Sequence, residues 1–370
     1  MTEKRFQIGD LCRMEKGISP TLKTPPGPFP LVVTADFRRS ADTWQIDGPA
    51  VCVPLISSTG HGDAALHRVH YQDGKFALAN LLVALIPTDP SVCDTKYLYH
   101  LLMARKDELF VPLMQGTANV SLKEKDIAKV EISLPSLNEQ KRLVSLIEEA
   151  GSLVQEAQRC RVEALEAGNE LLRAILTQDN HSVPTPMGEL VRLRALDVIV
   201  DGSSIYEFAG VYCFGRGVFR SGRKSGLEFA YPRLTTVRAG DFVYPKLMAW
   251  EGALAVVPPD CDGCVVSPEF PVFEIDKSRV FPEVLDVYFR NPSMWPQLSE
   301  ASTGTNVRRR RLNPQDFLAY KMPLPSRATQ LKLRTAYAEV AKLKELQSQT
   351  AAELDALMPS VLSKAFAGAL

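Results

Sequence analysis

Gly116-Thr-Ala-Asn-Val-Ser-Leu122 is followed by Asp126, Ile127, Pro135 and Gln140, and Gly304-Thr-Asn-Val307 by Leu312, Asp316, Phe317, Pro325 and Gln330. Leu122 and Leu312 stand 190 positions apart, and the same offset joins Asp126 to Asp316, Pro135 to Pro325 and Gln140 to Gln330. The Gly-Thr-Asn segments differ from it by two or three positions, a small loop indel. Matching starts lie upstream, Ile8-Gly-Asp-Leu11 and Met187-Gly-Glu-Leu190. Order, spacing and a long helical segment after each proline agree. The chain therefore reads as a tandem duplication, its period too long for a solenoid of short repeats.

Each copy reads as a mixed globular module followed by a long helix. Runs of apolar and β-branched residues bounded by Gly, Pro and Asp predict strands at 31–35, 51–56 and 81–86, and at 241–245, 253–257 and 265–266. Helical segments are expected at 95–103, 124–129 and 278–291. The first long helix is expected from Asn138, as its cap, to Leu176. Leu143, Leu146, Ala150, Leu153, Ala157, Cys160, Ala164, Ala167, Leu171 and Ala174 step by threes and fours, widened by Ile147, Val154 and Ile175. Nearly 40 residues would make a rod of ~55–60 Å. The second is expected from Ala328 to Leu370, with a seam through Val340, Leu343, Gln347, Thr350, Leu354, Leu357 and Val361, and a break or kink near Pro359. Neither stripe can hide inside a small domain, so the two helices are expected to pair antiparallel and hold the globular parts apart. Packing of each helix on its own domain is the alternative. The expected class is α+β: two tandem globular α/β modules separated by two long helices packed as an antiparallel coiled coil.

Composition narrows the function. The 370 residues carry 43 basic and 43 acidic side chains, a formal net charge of zero, which excludes a uniformly basic nucleic-acid wrapper but not local basic patches. The longest apolar run, Ala77–Ile86, is interrupted by Asn80 and is half a membrane span, and the first ten residues lack the apolar core of a signal peptide. Seven scattered cysteines suit a reducing cytoplasm better than a disulfide framework.

Two modules each carrying Gly-Thr-Asn, a short Leu…Asp element and Leu-Pro-…-Gln before a long helix resemble the specificity subunit of type I restriction–modification systems. Leu134-Pro-Ser-Leu-Asn-Glu-Gln-Lys-Arg142 is similar to that family's helix start; Leu324-Pro-Ser-Arg-Ala-Thr-Gln330 departs from it, with Thr329 where the first copy has Glu139. Leu357-Met-Pro-Ser-Val-Leu-Ser-Lys-Ala-Phe-Ala-Gly-Ala-Leu370, Trp250-Glu-Gly-Ala-Leu-Ala-Val-Val257 and Val265-Val-Ser-Pro-Glu-Phe-Pro-Val272 also resemble stretches of such subunits. The resemblance implies target-recognition domains at 1–135 and 181–326, with coiled-coil helices at 136–180 and 327–370. It implies a non-catalytic cytoplasmic protein of phage defence that reads a bipartite, asymmetric double-stranded DNA target. The helices would fix the unread spacer and dock two methyltransferase subunits, with a restriction/translocase subunit where the system has one. No cofactor is expected in this chain; S-adenosylmethionine belongs to the methyltransferase, ATP and Mg to a restriction partner. A recognition or adaptor subunit of another phage-defence methylation system, or a coiled-coil scaffold without DNA readout, are the alternatives.

Between Val211 and Gly240 six basic residues, Arg216, Arg220, Arg223, Lys224, Arg233 and Arg238, face one acid, Glu228. Glycines and the aromatic Phe214 and Phe219 are interleaved, which reads as a flexible basic loop suited to phosphates and base edges. Arg308, Arg309, Arg310 and Arg311 follow the second Gly-Thr-Asn; arginine can bond guanine bidentately or hold phosphate. The first module offers Arg38, Arg39, Ser57, Ser58, His61, His67 and Arg68. Asn119 and Asn306 can read adenine or cap the next element. A solvated face or a simple turn would explain the same residues.

Catalytic patterns are sparse. No phosphate-binding G-x-x-x-x-G-K-[ST] loop and no Asn/Asp-Pro-Pro-aromatic tetrapeptide of amino-methyltransferases occurs. Cys261-Asp-Gly-Cys264 lacks a second pair for zinc. His61, Asp63, His67 and His70 would be a loose metal set, and Asp89, Asp94 and Lys96 a loose nuclease echo. These leave a stand-alone nuclease or deaminase as a further alternative.

Overall fold

The computed structural model describes residues 4–59, 62–117, 120–300, 311–367 and 369, apart from the side chains of 299 and 300. His61, Asn119, Asn306, Arg308, Arg309 and Arg310 lie outside the described residues. Contacts divide the chain into two units, Met1–Arg159 with Thr350–Leu370, and Cys160–Gln349. Each unit thus takes a stretch of both long helices.

The duplication is a duplication of topology. In the first unit Lys4–Gln7 pairs antiparallel with Glu131–Leu134; in the second Val183–Pro186 pairs with Lys321–Leu324. A four-stranded sheet follows in each, ordered Cys12–Lys16, Leu82–Pro87, Ala50–Pro54, His70–Gln72 in the first and Val191–Leu193, Val272–Ile275, Phe242–Val243, Ala255–Val256 in the second. A further sheet runs Arg38–Ala41, Phe29–Val32, Lys75–Leu78, Ile46–Asp47 in the first unit. Its counterpart runs Gly217–Ser225, Ile205–Tyr212, Val265–Val266, Arg233–Thr236, Val198–Ile199. Strand for strand the order matches, with Val198–Ile199 added at one edge.

The offset residues do the same work in both units. Gln140 and Gln330 are buried, each one turn into its long helix. The Gln140 Oε1 accepts the Asp94 backbone N–H at 2.9 Å, and its Nε2 donates to the carbonyls of Val92 and Pro135 at 2.9 and 3.0 Å. The Gln330 Oε1 accepts the Phe281 N–H at 3.2 Å, and its Nε2 donates to the carbonyls of Arg279 and Pro325 at 3.3 and 3.1 Å. Asp94 and Phe281 are the N-caps of the helices Thr95–Leu109 and Pro282–Phe289. One amide therefore ties the start of the long helix, the turn before it and the first orphan N–H of a second helix. Ile127 and Phe317, also 190 apart, are fully buried; Phe317 lies 5.0–5.7 Å from the rings of Phe242, Tyr244, Phe273 and Phe289.

The helices pair antiparallel, with three corrections to the expected details. The first spans Leu137–Thr177, and its first turn is capped by Ser136, whose Oγ accepts the Glu139 N–H, rather than by Asn138. Its seam keeps Leu143 of the expected stripe and the Ile147 and Ile175 that widened it, but runs through Val144, Gly151, Gly168 and Leu172 in place of Leu146, Leu153 and Leu171. In the first unit Val144, Ile147 and Gly151 turn inward, with Gly151 against Met358; in the second Gly168, Leu172 and Ile175 do, with Gly168 against Val340. Both stripes step by threes and fours. The glycines decide between them, because a Cβ on Gly168 would stand 3.0 Å from the Val340 side chain. Leu153 and Leu171, on the expected stripe, are 61% and 53% exposed. The second long helix is two, Arg327–Gln349 and Ala351–Phe366, broken at Thr350 while Pro359 sits inside the second piece. The Gln347 carbonyl, which residue 351 would use in an unbroken helix, accepts instead from the Arg161 guanidinium, and the Gln347 side chain donates to the Arg161 carbonyl.

Gln140→Ala leaves buried backbone groups at two helix starts without partners, so it is expected to destabilise by about 3 kcal/mol, and Gln330→Ala by a similar amount. The exposed Gln155→Ala is the control. Chemical denaturation measures all three; losses below about 0.5 kcal/mol at Gln140 and Gln330 would refute this role.

Candidate nucleic-acid interface

The basic stretch expected as a flexible loop is a β-hairpin. Ile205–Tyr212 pairs antiparallel with Gly217–Ser225, with an irregular register between Phe208 and Ala209. Glycines and charges mask the alternation in the sequence, but the register separates two faces. Ala209, Val211 and Val218 pack inward with Val237, Val257, Cys261 and Cys264. The other face is aromatic and carries cations. Tyr212 stacks on Phe219 at 3.9 Å, and Phe229 stands edge-on to Tyr206 and Phe208 at 5.9 and 5.2 Å. The Arg216 guanidinium lies 4.8 Å from the Tyr212 ring, and the Lys224 Nζ 6.0 Å from Phe208. Gly210 is required here, since a Cβ would meet the Phe219 ring at 2.6 Å. Arg220 is tied to Glu207 at 2.7 Å and to the Asp260 carbonyl at 2.6 Å; Arg223 lies 3.8 Å from Glu207 and, like Arg216 and Lys224, is exposed.

In the first unit Arg38 and Arg39 lie on Arg38–Ala41, the edge strand at the equivalent position of its sheet. Residues far apart in sequence thus fall on the same edge of the same topology. Arg38 is held: its Nε donates to Gln72 Oε1 at 3.0 Å, one terminal nitrogen donates to the Tyr71 carbonyl at 3.1 Å, and the other lies 3.4 Å from His70 Nδ1. Arg39 is exposed, and its guanidinium donates to the Thr21 carbonyl at 3.3 Å. Two further segments join this edge. Arg68 reaches Asp36 in the hairpin turn at 3.5 Å. The Ser57 N–H donates to the Val120 carbonyl, which joins the loop after Ala50–Pro54 to the Gly-Thr segment. The Ser57 and Ser58 hydroxyls shape that loop: Ser57 Oγ donates to the Asp63 carbonyl at 2.6 Å, and Ser58 Oγ accepts the exposed His67 N–H at 3.0 Å.

The second unit assembles the same three segments. The Phe214 and Gly215 N–H groups of the hairpin turn donate to the carbonyls of Glu251 and Gly252, in the loop after Phe242–Val243. The Leu312 N–H donates to the Lys246 carbonyl of that loop, as Leu122 does to Leu55 in the first unit. Arg311 is paired with Glu269. Trp250 through Val257 belongs to this loop and its following strand, a support for the turn that the basic residues alone did not reveal.

The residues weighed for catalysis are engaged elsewhere. Asp94 caps Thr95–Leu109 by accepting the Tyr97 N–H, Asp89 accepts from Ser91, and Lys96 pairs with Glu148 at 2.6 Å. Cys261 and Cys264 are buried. Among the described residues no group of His, Cys, Asp and Glu is arranged to hold a metal, and no helix is long and apolar enough to cross a membrane.

His70 is buried beneath Arg38, and burial, followed by the charges of Arg38 and Arg68, lowers its pKa from 6.5 to about 4. The folded protein therefore binds fewer protons there than the unfolded chain, and stability falls as the pH drops through 6.5 towards 4. The contribution is at most ~3 kcal/mol. A His70→Gln variant is expected to show a shallower loss of stability between pH 7 and 4.5 in denaturant titrations; an identical slope would remove His70 from the acid response.

Residues 2–159 match the family model described as Type I restriction modification DNA specificity domain. No curated protein sequence matches the chain. Its fold is similar to that of the S subunit of a type I restriction–modification system from M. genitalium, at 14% identity and a TM-score of 0.51, covering 99% of this chain and 96% of that one. It is also similar to the HsdS subunit from Thermoanaerobacter tengcongensis, at 18% identity and a TM-score of 0.52, covering 100% and 97%. A chain from a structure on complex assembly and conformational transition of the type I R-M system matches at 19% identity and a TM-score of 0.62, covering 100% and 98%. The specificity-domain match falls on the first copy of the duplication, the second copy repeats its topology strand for strand, and the fold likeness to type I specificity subunits runs the whole length of the chain.

Proposed function

We propose that the chain selects a bipartite, asymmetric duplex sequence, one half-site per recognition domain, and docks methyltransferase subunits through its paired helices. The recognition domains are assigned to 1–135 and 181–326, and the helices to 136–180 and 327–370. One observation carries this reading. Each unit brings a basic edge hairpin, the loop of the neighbouring sheet and the segment after Gly-Thr to one place, from residues scattered over its sequence. A scaffold without DNA readout would have no use for that convergence.

Phosphate contacts are assigned to Arg39, Arg216, Arg223 and Lys224, and also to Arg308, Arg309, Arg310 and Arg311. Base edges are assigned to the hairpin turns, His67, Arg68 and the loop of Ser57 and Ser58, with His61, Asn119 and Asn306 contributing from outside the described residues. Arg38 and Arg220 hold the surface in shape, since their donors are largely engaged by neighbours. The chain itself catalyses nothing in this reading. S-adenosylmethionine sits on the methyltransferase, ATP and Mg on a restriction partner where one exists, and the complex works in the cytoplasm.

Mapping methylated bases in the source genome tests the whole reading. A two-part methylated motif that disappears when this gene is deleted is expected; a methylome unchanged by the deletion would overturn it. In the complex, alanines at Arg223 and Lys224 are expected to weaken binding on every duplex sequence and to reduce the slope of log affinity against log salt by about two. Alanines at Arg308–Arg311 are expected to weaken binding as well. Unchanged affinity would remove either cluster from the interface.

A further inference from the structure

Phe214 occupies the turn of the Ile205–Ser225 hairpin with φ +62°, the one positive φ at a non-glycine among the described residues. A side chain pays for that conformation and glycine does not, so the turn would form more easily without the ring. The ring is also 64% exposed, and its closest ring partner, Trp295, is 6.2 Å away between centroids. Folding therefore gains little from a phenylalanine here. The backbone beneath it is nonetheless fixed. The N–H groups of Phe214 and Gly215 donate to Glu251 and Gly252 at 2.8 and 3.0 Å. A Cβ on Gly215 would stand 3.0 Å from the Arg290 carbonyl, so the turn lies directly on that residue. A strained, rigidly supported and exposed aromatic ring is what an inserting side chain requires, because little freedom is lost on binding.

The first unit places an exposed ring at the equivalent turn, without the strained φ. Phe37 lies in the turn between Phe29–Val32 and Arg38–Ala41, the topologically equivalent hairpin, and is 56% exposed. An exposed arginine follows within two residues in both cases, Arg39 after Phe37 and Arg216 after Phe214. An exposed ring and an exposed arginine two residues on in the chain match a base step and its phosphate.

We propose that Phe214 and Phe37 are apolar wedges: each presses its ring into the base stack of its half-site and partly unstacks one step, while the neighbouring arginine holds the adjacent phosphate. Such a wedge exchanges stacking energy for a deformed duplex, which makes an easily unstacked step part of the recognised sequence without a hydrogen bond to it. The inference rests on the DNA-recognition reading and goes further, assigning one residue per domain a mode of contact.

The test uses the full chain with its methyltransferase partner and duplexes carrying the methylated motif, with 2-aminopurine placed at successive adenines in each half-site. Wild type is expected to raise the fluorescence at one step per half-site. Phe214→Gly is expected to abolish the rise in one half-site and Phe37→Gly in the other. Each is expected to weaken specific binding about ten-fold with the salt slope unchanged. Phe214→Gly is also expected to unfold no earlier than wild type on heating, since the strained φ is relieved, and Phe214→Leu to keep part of the signal. Specific wild-type binding without any fluorescence change would overturn the wedge and leave the DNA reading intact, as would glycine variants that bind within about two-fold of wild type. A wild-type complex with no sequence preference would instead overturn the DNA reading itself.

Discussion

The structure depends on one amide used twice. Gln140 and Gln330 each stand where three chain segments converge, and each satisfies a backbone N–H and two carbonyls that would otherwise be buried without partners. No apolar residue of similar volume can replace that function, and no charged one fits a buried site of mixed donor and acceptor demand. The glutamine therefore fixes the direction in which the long helix leaves its globular part. It also fixes the helix that follows the last strand of the four-stranded sheet. Everything the helices carry is oriented from this point.

In the second unit a short chain of contacts runs from the helix to the reading surface. Tyr337, on Arg327–Gln349, donates to the buried Asp286 at 2.8 Å; Asp286 pairs with Arg290 at 2.9 Å; Arg290 lies under the Gly215–Gly217 turn. Burial and the Asp286 charge both push the Tyr337 hydroxyl pKa up, so it stays a donor across the physiological range. The first unit supports its hairpin differently, with Arg38 fastened to His70, Tyr71 and Gln72 on the neighbouring sheet. The two units thus share a topology and a position for the reading edge but not the side chains that brace it. Duplication preserved the frame, and the surfaces on it diverged.

The part readable in the sequence is the part fixed by spacing. A constant offset of 190 located Gln140 and Gln330, the helix starts and the duplicated topology, because an indel there would break contacts with neighbouring strands. The helix seam was placed only in part, with Ile147 and Ile175 correct, since Leu153 and Leu171 fit a three-four pattern as well as Val144 and Leu172 do; only close approach at Gly151 and Gly168 separates the two registers. The hairpin was missed because Gly210, Gly217 and Gly222 look like loop residues, although Gly210 is covered by Phe219 and so belongs to the strand. Asn138 looked like a cap because its residue type favours that position, while the preceding serine had already taken the role. The basic candidates were found by composition, but that Arg38, Arg39, Arg220, Arg223 and Lys224 fall on equivalent edge strands follows from long-range pairing that no local pattern encodes.

Zero net charge has a structural form here. Arg192 pairs with Glu274, Arg194 with Asp241, Arg220 with Glu207 and Arg279 with Glu189. Arginines answered in this way contribute little to a long-range field, and what remains is screened over about 8 Å at physiological salt. Non-specific DNA affinity in such a chain is expected to be weak, which favours discrimination: a reader that phosphates hold firmly anywhere gains little from the correct bases. Selection must then come from short-range contacts, and those demand rigid presentation more than charge. The braced hairpins meet that demand, and the arginines bound within the fold serve it by spending their donors on position instead of on phosphate.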